Sequence, residues 1–254
     1  MIMCKYITKT IGLLAVSLMF VSFFSGCASN QGASKPDQGE PPESSLIGQE
    51  ENMGSGVLLY QGHGSLRITT PEGKVIYIDP YAGEGYDVPA DLILVTHPHP
   101  DHTAIELIKI QNPDCAIITH EEALVNGEYK VFDLNYMTVE AVQAGNNPNH
   151  DINVCVGYVL TLSDKKSIYI SGDTSTTEQM ATLAQRNLDY AFFCCDGRFN
   201  MDMEEASACA ALVQAKNSIP YHMAPGELFN RERAELFKAE GRLIVADGEE
   251  IVIK

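Results

Sequence analysis

The sequence predicts an α/β sandwich, with sheets inside and helices outside, and three observations carry that expectation. Short apolar runs, many rich in β-branched residues, recur along the chain and read as strands, some buried on both faces. Helix-like stretches separate the later runs, so a strand-rich first part gives way to alternating strand and helix. The 254-residue chain is 45% hydrophobic and 20% charged, which is enough apolar content for one sizeable core.

Taken in order, the strand-like runs are Val57–Tyr60, Val75–Ile78, Leu92–Val95, Ala116–Thr119, Val154–Leu162, Ser167–Ile170, Tyr190–Phe193 and Leu243–Val245. The helix-like stretches are Ala104–Ile110, Thr176–Arg186, Met203–Ala215 and Glu227–Ala239. Asp202 is the predicted N-cap of the third, with Glu204 and Glu205 in its first turn, where negative charge suits the helix dipole. No internal repeat is visible, which argues against a solenoid or propeller.

The N-terminus reads as an export signal. Lys5 and Lys9 precede a 14-residue apolar run, Ile11 to Phe24, too short to span a bilayer but suited to a signal core. Ser25-Gly26-Cys27 follows directly and resembles the lipobox of bacterial lipoproteins, in which the cysteine is lipidated and becomes the mature N-terminus. The competing reading is an uncleaved anchor with an incidental cysteine. Residues 27–52, rich in Ser, Gly, Pro, Gln and acids after Cys27, read as a flexible polar tether. The folded domain is then 53–254, and residues 1–26 are the signal peptide. These features predict an extracytoplasmic protein, lipid-anchored to a bacterial membrane through Cys27.

Charge narrows the partners. The chain has 17 basic and 34 acidic residues, a net charge of −17. Nucleic-acid affinity rests on Lys and Arg displacing counterions, so nucleic acid is excluded as a partner. Anionic lipid headgroups are repelled as well, and membrane attachment has to come from the lipid anchor. Of the seven cysteines, Cys115, Cys155, Cys194, Cys195 and Cys209 lie beyond the tether, an odd number without disulfide or metal-knuckle spacing. They read as small core residues.

The chemistry concentrates in Thr96-His97-Pro98-His99-Pro100-Asp101-His102, directly after a predicted buried strand. Three imidazoles and a carboxylate this close together form a dense set of metal ligands. The prolines hold the stretch extended, so that His97, His99 and Asp101 can project to one side. His102 falls beside the start of the next predicted helix.

His-x-His-x-Asp-His after a buried strand resembles the signature of the metallo-β-lactamase superfamily, and further pieces follow in the family's order. His150 precedes a strand, Ser171-Gly172-Asp173-Thr174 follows one, and Ile219-Pro220-Tyr221-His222 comes after a helix and a short strand. Gly62-His63-Gly64-Ser65 and Ile78-Asp79-Pro80 look like its opening strands, closest to the branch of ascorbate-6-phosphate lactonase-like hydrolases. The resemblance spans about Gly56 to Lys254 and implies the αββα sandwich of that superfamily.

It also implies two divalent metal ions. One would be held by His97, His99 and His150, the other by Asp101, His102 and His222, with Asp173 bridging. Nitrogen and oxygen ligation suits zinc, and manganese or iron can take the same set. In such centres a metal-bridged hydroxide is the nucleophile, with Asp101 and Asp173 the catalytic carboxylates and no separate Ser or Cys required. Asp173 also reads as a helix N-cap. His63 is a residue facing substrate, a support behind the ligands or a turn residue; His120 reads as a surface residue, and Asp79 as a support behind the ligands.

Within the family, His99 stands where flavin-linked di-iron relatives carry Glu, and Asp173 where true β-lactamases carry Cys. Both features imply hydrolysis of a small ester, lactone or phosphodiester. The polar Asn146-Asn147-Pro148-Asn149 before His150, and Met223 after His222, depart from the branch pattern where substrate is expected to approach. No long insertion supplies a lid, which favours a small-molecule substrate. The alternative is a non-catalytic metal- or ligand-binding surface lipoprotein on the same fold.

Overall fold

The computed structural model describes residues 54–254, all within one unit, Gln49–Lys254. The predicted signal peptide, Cys27 and the predicted tether lie outside the described residues. The chain opens with β1 (Val57–Gly62), β2 (Ser65–Thr69), β3 (Val75–Ile78), β4 (Ala90–Leu94) and β5 (Gln111–Ile118). A capped turn of helix, α1 (His120–Ala123), and the small hairpin β6 (Leu124–Val125) and β7 (Glu128–Tyr129) lead onward. Then come β8 (Val131–Leu134), β9 (Met137–Gln143), β10 (Val156–Leu162) and β11 (Ser167–Ile170). Helices alternate with the last strands: α2 (Met180–Leu183), β12 (Tyr190–Cys194), α3 (Met203–Val213), β13 (Asn217–Tyr221), α4 (Arg231–Ala234) and β14 (Glu250–Val252).

These strands form two six-stranded sheets, β14-β1-β2-β3-β4-β5 and β13-β12-β11-β10-β9-β8. Each is antiparallel on one side and parallel on the other, with β3-β4-β5 and β11-β12-β13 the parallel sets. Parallel neighbours require crossovers, which leave loops at the carboxyl ends of β3, β4, β11, β12 and β13. Those loops gather at one end of the sandwich, where ligands settle in open α/β sheets.

The core explains why several strands read as unbroken apolar runs. In β3, Ile76 and Ile78 face the main core while Val75 and Tyr77 face a second cluster with Tyr86, Ile93 and Ile108. Both faces of that strand are therefore covered, and period-two alternation of polarity disappears. On the second sheet α3 packs on β12 and against α2. The sheets are also joined near their loop ends: Val156 N–H donates to Thr96 O at 3.0 Å, and the Tyr158 hydroxyl donates to Val95 O at 3.0 Å.

The expected α/β sandwich is found, with several elements redrawn. Ala104–Ile110 is not a helix; only Ile105–Leu107 makes a 3-10 turn. Ile108 is drawn into the second cluster, and Pro113 inside β5 favours extended backbone just before it. The long helix over Glu227–Ala239 shrinks to α4, which starts where Asn230 accepts from Arg233 N–H at 3.0 Å. Thr176–Arg186 yields α2 and a 3-10 turn that Asn187 ends in the left-handed region, at φ 52°. Leu243–Val245 is not a strand; this part of the chain touches β13 through a single bridge, Ser218 to Arg242. The sequence reading did not include β2, β6, β7, β8, β9 or β14. Asp202 caps α3 as expected, accepting from Glu204 and Glu205 N–H.

Leu92 is fully buried at the centre of β4. Leu92→Ala is expected to lower unfolding free energy by about 2–5 kcal/mol in denaturant titration. The same truncation at Val131, 61% exposed, is expected to stay within about 0.5 kcal/mol.

Candidate metal centre

The loops after β1, β3, β4, β11 and β13 and the one before β10 each contribute a side chain at this edge of the sandwich. The β1–β2 turn carries His63, the end of β3 carries Asp79, and the end of β4 carries Thr96 through His102. His150 precedes β10, Asp173 follows β11, and His222 follows β13. Three overlapping groups of ligand atoms converge: His97, His99 and His150; His63, Asp101, His102 and His222; and His97, His102 and Asp173. In each group the atoms lie within 4.8 Å of one another.

The seven residues predicted as ligands are thus brought together, by a path that differs in one respect. Extended backbone explains why His97 and His99 share a group. Asp101 does not join them, because His102 N–H bonds back to His99 O at 3.0 Å and closes a turn that sends Asp101 to the other side. His120 opens α1 and belongs to none of the groups. Met223, expected near the substrate approach, is only 1% exposed and accepts Asn230 N–H on its sulfur. Asn147, by contrast, holds His150 directly: its Oδ1 accepts His150 N–H at 3.0 Å and lies 3.3 Å from Nδ1.

Asp79 organises the β4 side. Its carboxylate is fully buried and accepts Thr96 N–H at 2.8 Å, the Thr96 hydroxyl at 2.7 Å and His102 Nδ1–H at 2.9 Å. Because the Thr96 hydroxyl donates to Asp79, it accepts from His97 Nδ1, 3.0 Å away. Both imidazoles are thereby fixed with Nδ1 protonated and Nε2 turned toward the site. His63 closes the other side, with Nε2 3.1 Å from Asp101 Oδ2 and its ring 3.8 Å from that of His222. Its backbone oxygen accepts His222 N–H at 2.9 Å. Gly64 is required beside it, since a Cβ there would lie 2.9 Å from His102 Cε1.

Three residues of the site, His63, Asp79 and His222, sit in the left-handed region, at φ 52°, 46° and 44°. Non-glycine residues pay on the order of 1–3 kcal/mol for such backbone, which persists where the surroundings fix it.

Asp173 lies between the groups and is 3% exposed. Its Oδ1 is 3.5 Å from His102 Nε2 and 3.4 Å from His222 Nε2, while Oδ2 is 3.3 Å from His150 Nε2. Asn200, absent from the sequence reading, donates from Nδ2 to Asp173 Oδ2 at 2.7 Å and to Asp196 Oδ2 at 2.7 Å. Asp196 is buried 3.7 Å from His222 Nδ1. Asp173 does not cap a helix; the next one, α2, begins at Met180.

The electrostatics is that of a negative cavity. Burial pushes His97 down to about 2, helped by neighbouring His102, so its imidazole is neutral. Burial alone would lower His102 too, but the Asp173 and Asp79 carboxylates outweigh it and hold that imidazole well above its usual range. Burial would raise Asp173, yet His222 and His102 keep it well below the ordinary carboxylate range. Asp101 is held low against the same burial effect by His63 and His102. Among the described residues no Lys or Arg forms an ion pair with Asp79, Asp101, Asp173 or Asp196.

This donor set fits a divalent cation. Nε2 of His97, His102, His150 and His222 and Oδ1 of Asp173 are buried without a hydrogen-bond partner. Each orphaned group costs about 1–3 kcal/mol unless something answers it. The 3.3–3.5 Å separations around Asp173 match two donors sharing one ion at about 2.0–2.1 Å, for which tetrahedral geometry gives about 3.3 Å. The cysteines take no part: Cys155, Cys194, Cys195 and Cys209 are buried, and no disulfide forms among the described residues.

Comparison with known proteins agrees with this architecture. A family model described as a beta-lactamase superfamily domain matches residues 57–222. The chain is 29% identical over 244 residues to a UPF0173 metal-dependent hydrolase of Myxococcus xanthus, covering 83% of this chain and 84% of the relative. It is 30% identical over 190 residues to one from Geobacillus sp. strain WCH70, covering 64% and 83%. A crystal structure from Parabacteroides distasonis, provisionally assigned as a metal-dependent hydrolase, superposes with a TM-score of 0.62 at 28% identity, over 75% of this chain and 92% of that one.

Asp79→Asn keeps the volume but replaces an acceptor of three hydrogen bonds with a group that must donate. It is expected to weaken cation affinity about 10- to 100-fold, measured by competition with a chromogenic chelator.

Proposed function

This chain belongs to the beta-lactamase superfamily and to its UPF0173 metal-dependent hydrolases, and on that premise we propose a dinuclear hydrolase of small esters, lactones or phosphodiesters. The observation that carries the two-cation reading is Asp173, whose oxygens are divided between His102 and His222 on one side and His150 on the other. His97, His99 and His150 would hold one ion. Asp101, His102 and His222 would hold the second, with Asp173 shared. When bound, the ions supply Lewis acidity and lower the pKa of water at the site toward neutrality.

The protein's own part is placement and shielding. His97, His102 and Asp173 form a floor closed to solvent, which strengthens electrostatic interactions within it. His99 is part-exposed and the Asp101 side chain is 36% exposed, so substrate reaches the centre from that side. His63 Nε2, 3.1 Å from Asp101 Oδ2, fixes the Asp101 carboxylate beside the second ligand group. Tyr81, Phe199 and Leu228 are exposed apolar groups tied to site residues: the Tyr81 ring is 5.3 Å from that of His63, Phe199 O accepts Asn149 Nδ2, and Leu228 O accepts His63 N–H. They suit the apolar arms of a small ester or lactone.

We also propose that the enzyme acts outside the cytoplasm, anchored by lipid on Cys27. Support comes from Lys5, Lys9, the apolar run and Ser25-Gly26-Cys27. Among the described residues no helix is long and apolar enough to cross a membrane. The net charge of −17 supports a small-molecule substrate over nucleic acid.

Elemental analysis of protein purified without chelator is expected to give about two divalent ions per chain. Chelator is expected to abolish hydrolysis of a model phosphodiester or lactone, and Asp173→Ala to reduce it at least about 100-fold. Cations bound without turnover on any substrate class would leave a binding protein instead. Separately, Cys27→Ser is expected to move the protein from the membrane to the soluble fraction; retention in the membrane would refute the lipid anchor.

A further inference from the structure

Two side chains outside every ligand group stand directly behind the ligands. Asp196 lies two residues past the end of β12 and has a fully buried side chain. Its Oδ1 accepts the N–H groups of Arg198 and Phe199, each at 2.7 Å, and shapes a tight loop through Gly197, at φ 70°. That loop is held at both ends. Arg233 Nη2 donates to Asp196 O at 2.7 Å, and Met201 N–H donates to Thr174 O at 3.2 Å, next to Asp173.

The second oxygen of Asp196 looks into the site. It accepts Asn200 Nδ2 at 2.7 Å and faces His222 Nδ1 at 3.7 Å. That nitrogen is buried and has no hydrogen-bond partner. The gap exceeds a good hydrogen bond by about half an ångström, within reach of a small turn of the imidazole ring. The same Asn200 amide nitrogen also holds Asp173 Oδ2 at 2.7 Å. One neutral amide therefore separates two buried carboxylates, an arrangement that repels itself without a cation and is relieved by one.

We propose that Asp196 and Asn200 are positioning residues of the metal centre: Asp196 accepts a hydrogen bond from Nδ1–H of His222 and so aims its Nε2 at the cation, while Asn200 holds Asp173 in register. This rests on the two-cation reading above. A carboxylate behind a ligating imidazole fixes its tautomer and raises its basicity. Asp196→Asn keeps an acceptor for the loop N–H groups but turns a donor toward both His222 Nδ1 and Asn200 Nδ2, so both contacts of Oδ2 are lost. The imidazole is then driven to the tautomer whose Nε2 carries hydrogen and cannot ligate.

The test uses the full-length chain, loaded with zinc and stripped, with and without Asp196→Asn. Zinc affinity by chelator competition is expected to fall about 10- to 100-fold in the variant. The melting temperature of the stripped protein is expected to change little, because relief of the repulsion between two buried carboxylates offsets the lost Asn200 contact. A structural role alone would lower both together, and that outcome overturns the proposal, as does unchanged zinc affinity. Failure of the unaltered chain to bind zinc would instead overturn the metal-centre reading itself. Should the variant not fold, long-range proton–nitrogen NMR of the unaltered zinc-loaded protein decides. A downfield, carboxylate-bonded Nδ1 proton on His222 supports the proposal, and a proton without an acceptor refutes it.

Discussion

The Asp79 carboxylate is the interaction on which the site depends. It sits at the end of β3 with no access to water and accepts three hydrogen bonds, two from Thr96 and one from His102. Burying a carboxylate without partners is prohibitive, so its position is dictated by where those donors are. The donors lie at the carboxyl end of β4, the neighbouring parallel strand. One buried charge thus locks two strand ends together and orients two imidazoles, His102 directly and His97 through the Thr96 hydroxyl. Left-handed backbone at Asp79 is tolerable because these bonds, and its own N–H to Leu94 O, leave it no better alternative.

From that lock the rest of the centre follows as a problem of bringing the second sheet to the first. Backbone bonds do this at the site itself. Val156 N–H reaches Thr96 O, and His222 N–H reaches His63 O. Each joins a residue at or beside a ligand on one sheet to its counterpart on the other. The ligands are therefore carried by rigid strand ends, not by free loops. Left-handed backbone at His63 and His222 fits this picture, since a centre prepared in advance needs backbone that the surrounding framework enforces.

The sequence made the clustered residues legible and left much of their support hidden, for a physical reason. His97 through His102 lie within one turn of chain, so their convergence is local. His150, Asp173 and His222 could be recognised by their order after strands. Asp196 and Asn200 offered no such signal: their importance depends on β12 lying beside β11 and β13, a long-range fact. In the fold, β9 did leave a trace, because Met137, Val139 and Ala141 are buried and alternate with the half-buried Thr138 and Glu140. The stretches around Ile105 and Arg231 show the opposite failure, where helix-compatible composition yields to the demands of a short crossover and of a loop that must reach the site.

Charge connects the centre to the whole molecule. The chain is net −17, and the cavity adds buried carboxylates that no Lys or Arg neutralises among the described residues. Cations are thus drawn inward by the same field that resists anions. For the proposed substrates this field discriminates by distance. A phosphodiester meets repulsion until it is close enough for bound cations to dominate, whereas a neutral ester or lactone approaches unopposed. Screening shortens the repulsive range to about 8 Å at physiological salt, so the penalty falls on encounter more than on binding. An acidic surface around a cationic centre consequently favours neutral substrates on arrival, while the centre itself can stabilise the negative charge that either class of reaction develops.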